Sequence, residues 1–330
     1  MEINTKQKRR VLVMLALATL GALIFTPVLG MEIIPPSVWW GAGTDTDLDI
    51  FWKMRMPRVL TAFIAGAGLG LSGMAFQAMF RNPLATPFTL GVSSGASLGA
   101  AIYVHTGLAI SILGITGESF AAFGGALLAL SVVYWLTRFR GGFSSATLLL
   151  AGVAVSFSFS SLILFIQYIS GMQHSFRIVR WLMGSLDTVG YRPVLNILPF
   201  VLLGSLMLLA LSHELNLLMT GEDLAASRGA NVAKTKKLIF LAASLMVGGI
   251  VAFCGPIGFI GMMVPHICRL LVGSNHRFLM PATLLGGGTF LALCDMLSRS
   301  LIPPAEMPVG IITALLGGPF FLWLLTRNKV

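Results

Sequence analysis

The sequence predicts an all-α, polytopic membrane protein of about ten transmembrane helices with both termini cytoplasmic. Composition is the first reason: 56% of the 330 residues are hydrophobic and only 10% are charged, against roughly 25% charged in an ordinary soluble domain. The second is a succession of ten charge-poor apolar windows, each near the roughly 20 residues that a helix needs to cross a bilayer. The third is an uneven distribution of Lys and Arg between alternate connections. A soluble globule is excluded. Ten crossings use about 200 residues, so residues 1–330 form one integral unit with no room for a large soluble domain.

The windows follow in order. Lys6, Lys8, Arg9 and Arg10 precede the first, 11–31; this is the charge order of a signal peptide, but the apolar run is too long and lacks an A-x-A site, so it reads as an uncleaved span. The second covers 59–80. The stretch 82–117 is too long for one helix and opens on Asn82-Pro83 and Pro87, so the third span, 88–106, starts at that proline. Spans 119–137, 146–169 and 193–212 follow. Gly255-Pro256 divides the next stretch into 238–254 and 256–272, and Pro265 shortens or kinks the latter. Windows 279–294 and 307–326 complete the set.

An even number of spans puts both termini on one side. Fifteen of the 22 Lys and Arg fall on that side and seven on the other, whereas four of the 12 acids fall on it and eight opposite. By the positive-inside rule the termini are cytoplasmic, and the net charge of +10 needs no nucleic acid to explain it. Cys254, Cys268 and Cys294 are far apart in apolar sequence and read as buried, inert thiols. Gly66 with Gly70, the series Gly91, Gly95 and Gly99, and Gly249 form small-residue stripes for close helix packing. Gly68-Leu-Gly70-Leu-Ser-Gly73 spells G-x-G-x-x-G inside a span with no preceding strand, so a dinucleotide site is rejected.

Several functions lose their support. There is no G-x-x-x-x-G-K-[ST] motif, hence no P-loop on this chain. All 12 acidic residues are expected at window edges or in connections, so no proton relay and no aspartate pair for intramembrane proteolysis is visible. His105 and His213 read as interfacial groups at helix ends. Energy, if transport needs it, comes from a partner.

Two polar features stand out. Residues 220–237 combine Thr220 and Asp223 in a capping-box pattern, acids in a first turn, Arg228 in a last turn and Gly229 as a stop. They predict a short helix on the cytoplasmic face, either a solvated connector or a docking helix, with Asn231 capping a second turn before the seventh span. On the opposite side Arg55, Arg58 and Arg299 stand where positive charge is disfavoured. They either receive an acidic partner through their planar forks or snorkel to lipid phosphates.

The ordered motifs Arg55-x-Pro-Arg58, Gly73-x-x-Phe76-Gln77, Arg81-Asn-Pro-Leu-Ala85-x-Pro87 and Leu90-Gly91-x-x-x-Gly95-Ala96 resemble those of one family. Trp181-Leu-Met-Gly-Ser-Leu186, Gly255-Pro-Ile-Gly-Phe-Ile-Gly261, Val264-Pro-His-Ile267 with Arg269, and Met307-Pro-Val-Gly310 extend the resemblance across residues 50–325. The chain is similar to the FecCD-type permease subunits of type II ABC importers for iron chelates, haem and vitamin B12. The resemblance implies a ten-helix half-transporter that pairs with a second permease copy or paralogue in the bacterial inner membrane. It also implies two cytoplasmic ATPases, which carry the ATP and Mg, and a periplasmic or lipid-anchored substrate-binding protein.

The resemblance assigns Arg55, Arg58 and Arg299 to binding-protein docking. It assigns Gly221, Glu222, Asp223, Ala226, Arg228 and Gly229 to ATPase docking, although Arg228-Gly229 replaces the family's usual Leu-Gly. The fifth span lines the path in the family, which makes Ser156, Phe157, Ser160, Ser161 and Phe165 candidate lining residues. No metal, cofactor or catalytic residue is expected on the chain itself. The implied function is ATP-driven import of an iron chelate, a ferric siderophore or haem, by alternating access. Vitamin B12 is the alternative within transport; an ATPase-independent channel, an exporter or a scaffold are alternatives from other classes.

Overall fold

The computed structural model describes residues 4–112, 114–139, 144–187 and 189–327, with the side chains of residues 325 and 327 left aside. Glu2, Arg140 and Lys329, used in the charge count, lie outside the described residues. The helices are α1 (Thr5–Phe25), α2 (Asp45–Asp49), α3 (Met56–Phe80), α4 (Val92–Thr106), α5 (Gly117–Phe139), α6 (Ser145–Ile169) and α7 (Met172–Leu182). They continue as α8 (Arg192–Ala210), α9 (Ser212–Met219), α10 (Glu222–Ser227), α11 (Val232–Cys254), α12 (Ile260–Val272), α13 (His276–Ser300) and α14 (Val309–Arg327). A two-residue antiparallel pair, β1 (Ser111–Ile112) with β2 (Ile115–Thr116), decorates the α4–α5 connection.

Each predicted window coincides with a helix. By length and composition, α5, α6, α8, α11, α13 and the segment from Asp45 through α3 are able to cross a membrane, and α12 and most of α14 are shorter apolar helices. Helix α1 starts in basic sequence behind a capping box at Asn4, and it stops before Pro27, short of the predicted end. The predicted break at Gly255-Pro256 is present: α11 ends at Cys254, and Gly255 takes φ +66. Pro265 lies inside the 13-residue α12. Helix α13 runs to Ser300, six residues past the predicted window, with consequences for Asp295.

Lipid tails are as apolar as leucine, so close approach rather than the hydrophobic effect holds such helices together. Helix α3 is the hub, nearly all of it buried, with α8, α11, α12 and α13 packed around it. Its glycines set the spacing. A Cβ at Gly66 would overlap the carbonyl of Gly287 on α13, and one at Gly73 would overlap the carbonyl of Gly261 on α12. Gly95 meets Gly125, and Gly99 meets Ala121, where α4 lies along α5. Polar groups of the hub are satisfied locally: the Thr61 and Ser72 hydroxyls donate to the carbonyls of Pro57 and Gly68 at 2.8 and 2.7 Å. Unbonded hydroxyls in hydrocarbon are costly, and bonding to the residue four positions earlier removes the cost. The three cysteines are buried and unpaired.

Contacts between helix ends give the bundle two faces. At one end the start of α3, the end of α13 and the chain after α1 meet through Arg58, Arg299 and Arg55. At the other, the end bearing the N-terminus, Lys8 lies over the Phe278 ring and His276 bonds Asn216, while Arg269 Nη2 donates to Gln77 Oε1 at 3.0 Å.

Candidate functional site

The three predicted docking arginines come together. Arg55, Arg58 and Arg299 line one cavity of about 400 Å³, with Glu32 and Glu306 on its walls. Their positions follow from the local fold: Arg55 ends a π-helical turn leading into α3, Arg58 occupies the first turn of α3, and Arg299 the last turn of α13.

They differ in what they hold. Arg58, 8% exposed, donates Nε to Asp295 Oδ1 at 2.8 Å and Nη1 to Glu306 Oε2 at 2.6 Å, with Asp187 Oδ1 at 3.3 Å. Arg299, 4% exposed, shares Asp295 through Nε at 3.1 Å and donates to the carbonyls of Leu29 and Thr26. Arg55 donates to the carbonyls of Pro27, Val28 and Glu32. Among the described residues it has no carboxylate at ion-pair distance.

Asp295 is the group that sequence reasoning missed. It was expected at a window edge. The longer α13 carries it inside the helix with no solvent exposure, and a buried carboxylate requires paired cations with good geometry. Its spacing of four residues from Arg299 was the available signal. Glu306, reached through the α13–α14 connection, was missed as well and had no local pattern to reveal it.

At the opposite end, the predicted docking helix exists as α10, one and a half turns long. Asp223, Ala226, Arg228 and Gly229 are exposed, while Gly221 and Glu222 are partly covered. The capping box does not form. Gly221 is the N-cap with no side-chain bond, and the Thr220 hydroxyl donates instead to Leu217 O, because Thr220 terminates α9 before the chain turns. Gly229 takes φ +86 and ends the helix as expected. Asn231 caps α11 directly, accepting from the Lys234 N–H at 3.0 Å, so no separate second turn intervenes. Glu222 is committed inward, to Lys236 at 2.6 Å.

The candidate lining residues on α6 divide by face. Phe157 and Phe165 are strongly exposed, and Ser161 donates back to the Phe157 carbonyl. Ser156 and Ser160 instead enter a cleft of about 430 Å³ between α4 and α6, joined there by Ser93, Ser97 and Gln167. The Ser156 hydroxyl is buried without a hydrogen-bond partner. Ser93 and Ser97 on α4, 6% and 4% exposed, were not singled out from the sequence. Their spacing of four residues matches that of Ser156 and Ser160, so two helices each present a two-rung hydroxyl ladder. Beside the cleft's outer end lies α7, a strongly amphipathic helix whose Arg180 meets Asp187 at 3.4 Å. Asp187 thus touches both α7 and Arg58. Among the described residues no group of His, Cys, Asp and Glu is arranged to hold a metal.

Comparison with known proteins gives the family. The model of the FecCD transport family matches residues 13–327. The hemin transport system permease protein HmuU of Yersinia pestis is 38% identical over 89% of this chain and 88% of its own. The vitamin B12 import system permease protein BtuC of Klebsiella pneumoniae is 37% identical over 99% of this chain and 96% of its own. A solved structure described as an inward-facing conformation of a metal-chelate type ABC transporter superposes with a TM-score of 0.84 at 34% identity, covering 97% of this chain and all of that one. The chain therefore belongs to the FecCD transport family and is a multi-pass permease subunit of an ABC importer.

Proposed function

We propose that this permease passes an iron chelate, a ferric siderophore or haem, from a substrate-binding protein to the cytoplasm across a bacterial inner membrane, with both of its own termini cytoplasmic. The observation that carries the reading is the pairing of two specialised ends on one bundle. One has an arginine-lined cavity and the other an exposed short helix, and a hydroxyl-lined cleft lies on the helices between them. Two copies, or this chain and a paralogue, form the membrane unit. Two ATPases supplying ATP and Mg dock at Gly221–Gly229, and a periplasmic or lipid-anchored binding protein docks at the arginines.

The geometry ranks the arginines. Arg55 is bonded only to carbonyl oxygens, so its charge is available to an incoming carboxylate. Arg58 and Arg299 already hold Asp295, and they shape the cavity floor. An acidic residue of the binding protein approaches Arg55 first and competes with the partly exposed Glu306 for Arg58.

Transport needs weak contacts along the way, since a tight site traps cargo. The serine cleft suits that need: it offers hydroxyls and one amide, with no charged side chain in its lining. ATP-driven closure of the ATPases moves the docking helices, and the bundle exchanges an outer for an inner opening.

The test is capture of loaded binding protein by the complex in nanodiscs. Arg55→Glu weakens capture and leaves ATPase co-purification intact; unaltered capture removes Arg55 from the docking site. Vitamin B12 is the second reading, supported by the 99% coverage in the match to a B12 permease. The two are separated by asking whether the cognate binding protein retains a ferric trihydroxamate, haem or cyanocobalamin.

A further inference from the structure

Three lysines stand close together at the start of α11, and they have different surroundings. Lys234 is exposed, and Lys237 is exposed with its ammonium 5.2 Å from the centre of the Tyr134 ring. Lys236 is fully buried. A buried ammonium loses its hydration and persists only where charge and hydrogen bonds replace the water. Among the described residues, two other elements contribute to the replacement. Lys236 Nζ lies 2.6 Å from Glu222 Oε1 on the first residue of α10, and it donates to Ser145 Oγ, on the first residue of α6, at 3.2 Å. Ser145 Oγ in turn points to the same Glu222 oxygen at 3.5 Å. One ammonium thus joins the exposed short helix, the following span and the foot of the serine-bearing helix.

The rest of α10 is held lightly. It has six residues, and only Ala225 among them is buried. Helix α6 is likewise loosely embedded, with much of its surface exposed. Two weakly packed elements are therefore connected through an ion pair that is buried on the Lys236 side and partly exposed on the Glu222 side, and the connection is polar where an apolar side chain of similar length would have filled the same space. Charge-assisted bonds have directional demands that apolar packing lacks, so displacement of Glu222 changes what Ser145 can bond.

We infer that Lys236 is a positioning residue that transmits movement of the α10 docking helix to α6, and so couples the ATPase side of the importer to its cleft. This rests on the proposal that α10 receives the ATPase. Lys236 touches neither cargo nor nucleotide; it acts through Glu222 and Ser145.

The experiment uses the full complex in nanodiscs and a cysteine at Ser160 on α6, within the cleft. The three native cysteines are buried, so a small hydrophilic thiol reagent reports the introduced one. With Ser160→Cys alone, the labelling rate differs several-fold between nucleotide-free and ATP-trapped complexes. Adding Lys236→Met removes that difference, and adding Lys236→Arg retains it, because the arginine keeps the charge and the donors. Lys236→Met is expected to fold, since Glu222 is partly exposed and regains water when its partner is lost. A full nucleotide response in Lys236→Met, or no response in the Ser160→Cys complex with ATPase bound, overturns the inference. Failure of the underlying reading has a separate signature: Ala226→Arg, on the exposed side of α10, would leave ATPase co-purification unchanged.

Discussion

Helices α3 and α6 are each 25 residues long and strongly apolar, yet they are opposite kinds of membrane helix. Helix α3 places glycine at its closest contacts with α12 and α13, is buried along nearly its whole length, and returns its hydroxyls to its own backbone. Helix α6 carries exposed Phe157, Phe165 and Tyr168, and the Ser156 hydroxyl has no bond at all. In a solvent that gives no hydrophobic reward for helix association, small residues mark where the protein is already packed. On the reading proposed above, the large exposed side chains of α6 leave a surface for a second permease or a passing cargo.

Leucine at Gly73 or Gly66 breaks the contrast most severely. Its side chain has to displace backbone of α12 or α13, and overpacking against backbone costs about 3 kcal/mol or more. Little folded protein should reach the membrane fraction, whereas Val153→Leu on the exposed face of α6 changes the melting temperature of purified protein negligibly, within about 0.5 kcal/mol. Equal tolerance at the two helices would refute the division.

Asp295→Asn follows. It leaves Arg58 and Arg299 sharing a buried site with one carboxylate fewer, and breaking a buried pair costs about 3 kcal/mol. The melting temperature falls, and binding-protein capture weakens with it because the cavity floor loosens. Arg55→Glu weakens capture without the loss of melting temperature, which separates docking from support.

The smallest effect belongs to the cleft. Ser97→Ala with Ser160→Ala removes two hydroxyls that have no side-chain or backbone partner among the described residues, so stability is unchanged or slightly raised. Uptake of the cargo that the binding protein retains falls by about fivefold, the equivalent of roughly one net hydrogen bond. A drop in stability without a change in uptake would make the cleft a packing feature.

The spans were legible because a bilayer imposes one length and one composition on every crossing, and both are written locally in the chain. Gly255 and Pro256 marked a break that the backbone obeys. What escaped was long-range. Asp295 looked like an edge residue because the apolar window ended before the helix did. Arg58 and Arg299 were read as outward-facing charges; the acids that hold Arg58 lie far away in sequence, at 187, 295 and 306, and the one near Arg299, Asp295, sat outside the apolar window. Thr220 matched a capping pattern that the end of α9 pre-empted. Lys236 sat in a run of lysines that reads as solvated, and only the approach of α6 and α10 sets it apart.

The claim on which the account depends is that this chain supplies a passage and not the driving force. Vesicles containing it with its permease partner, its ATPases and its loaded binding protein should accumulate cargo when ATP is supplied, and vesicles lacking the ATPases should accumulate none. Sustained accumulation in the absence of the ATPases or of ATP would contradict it.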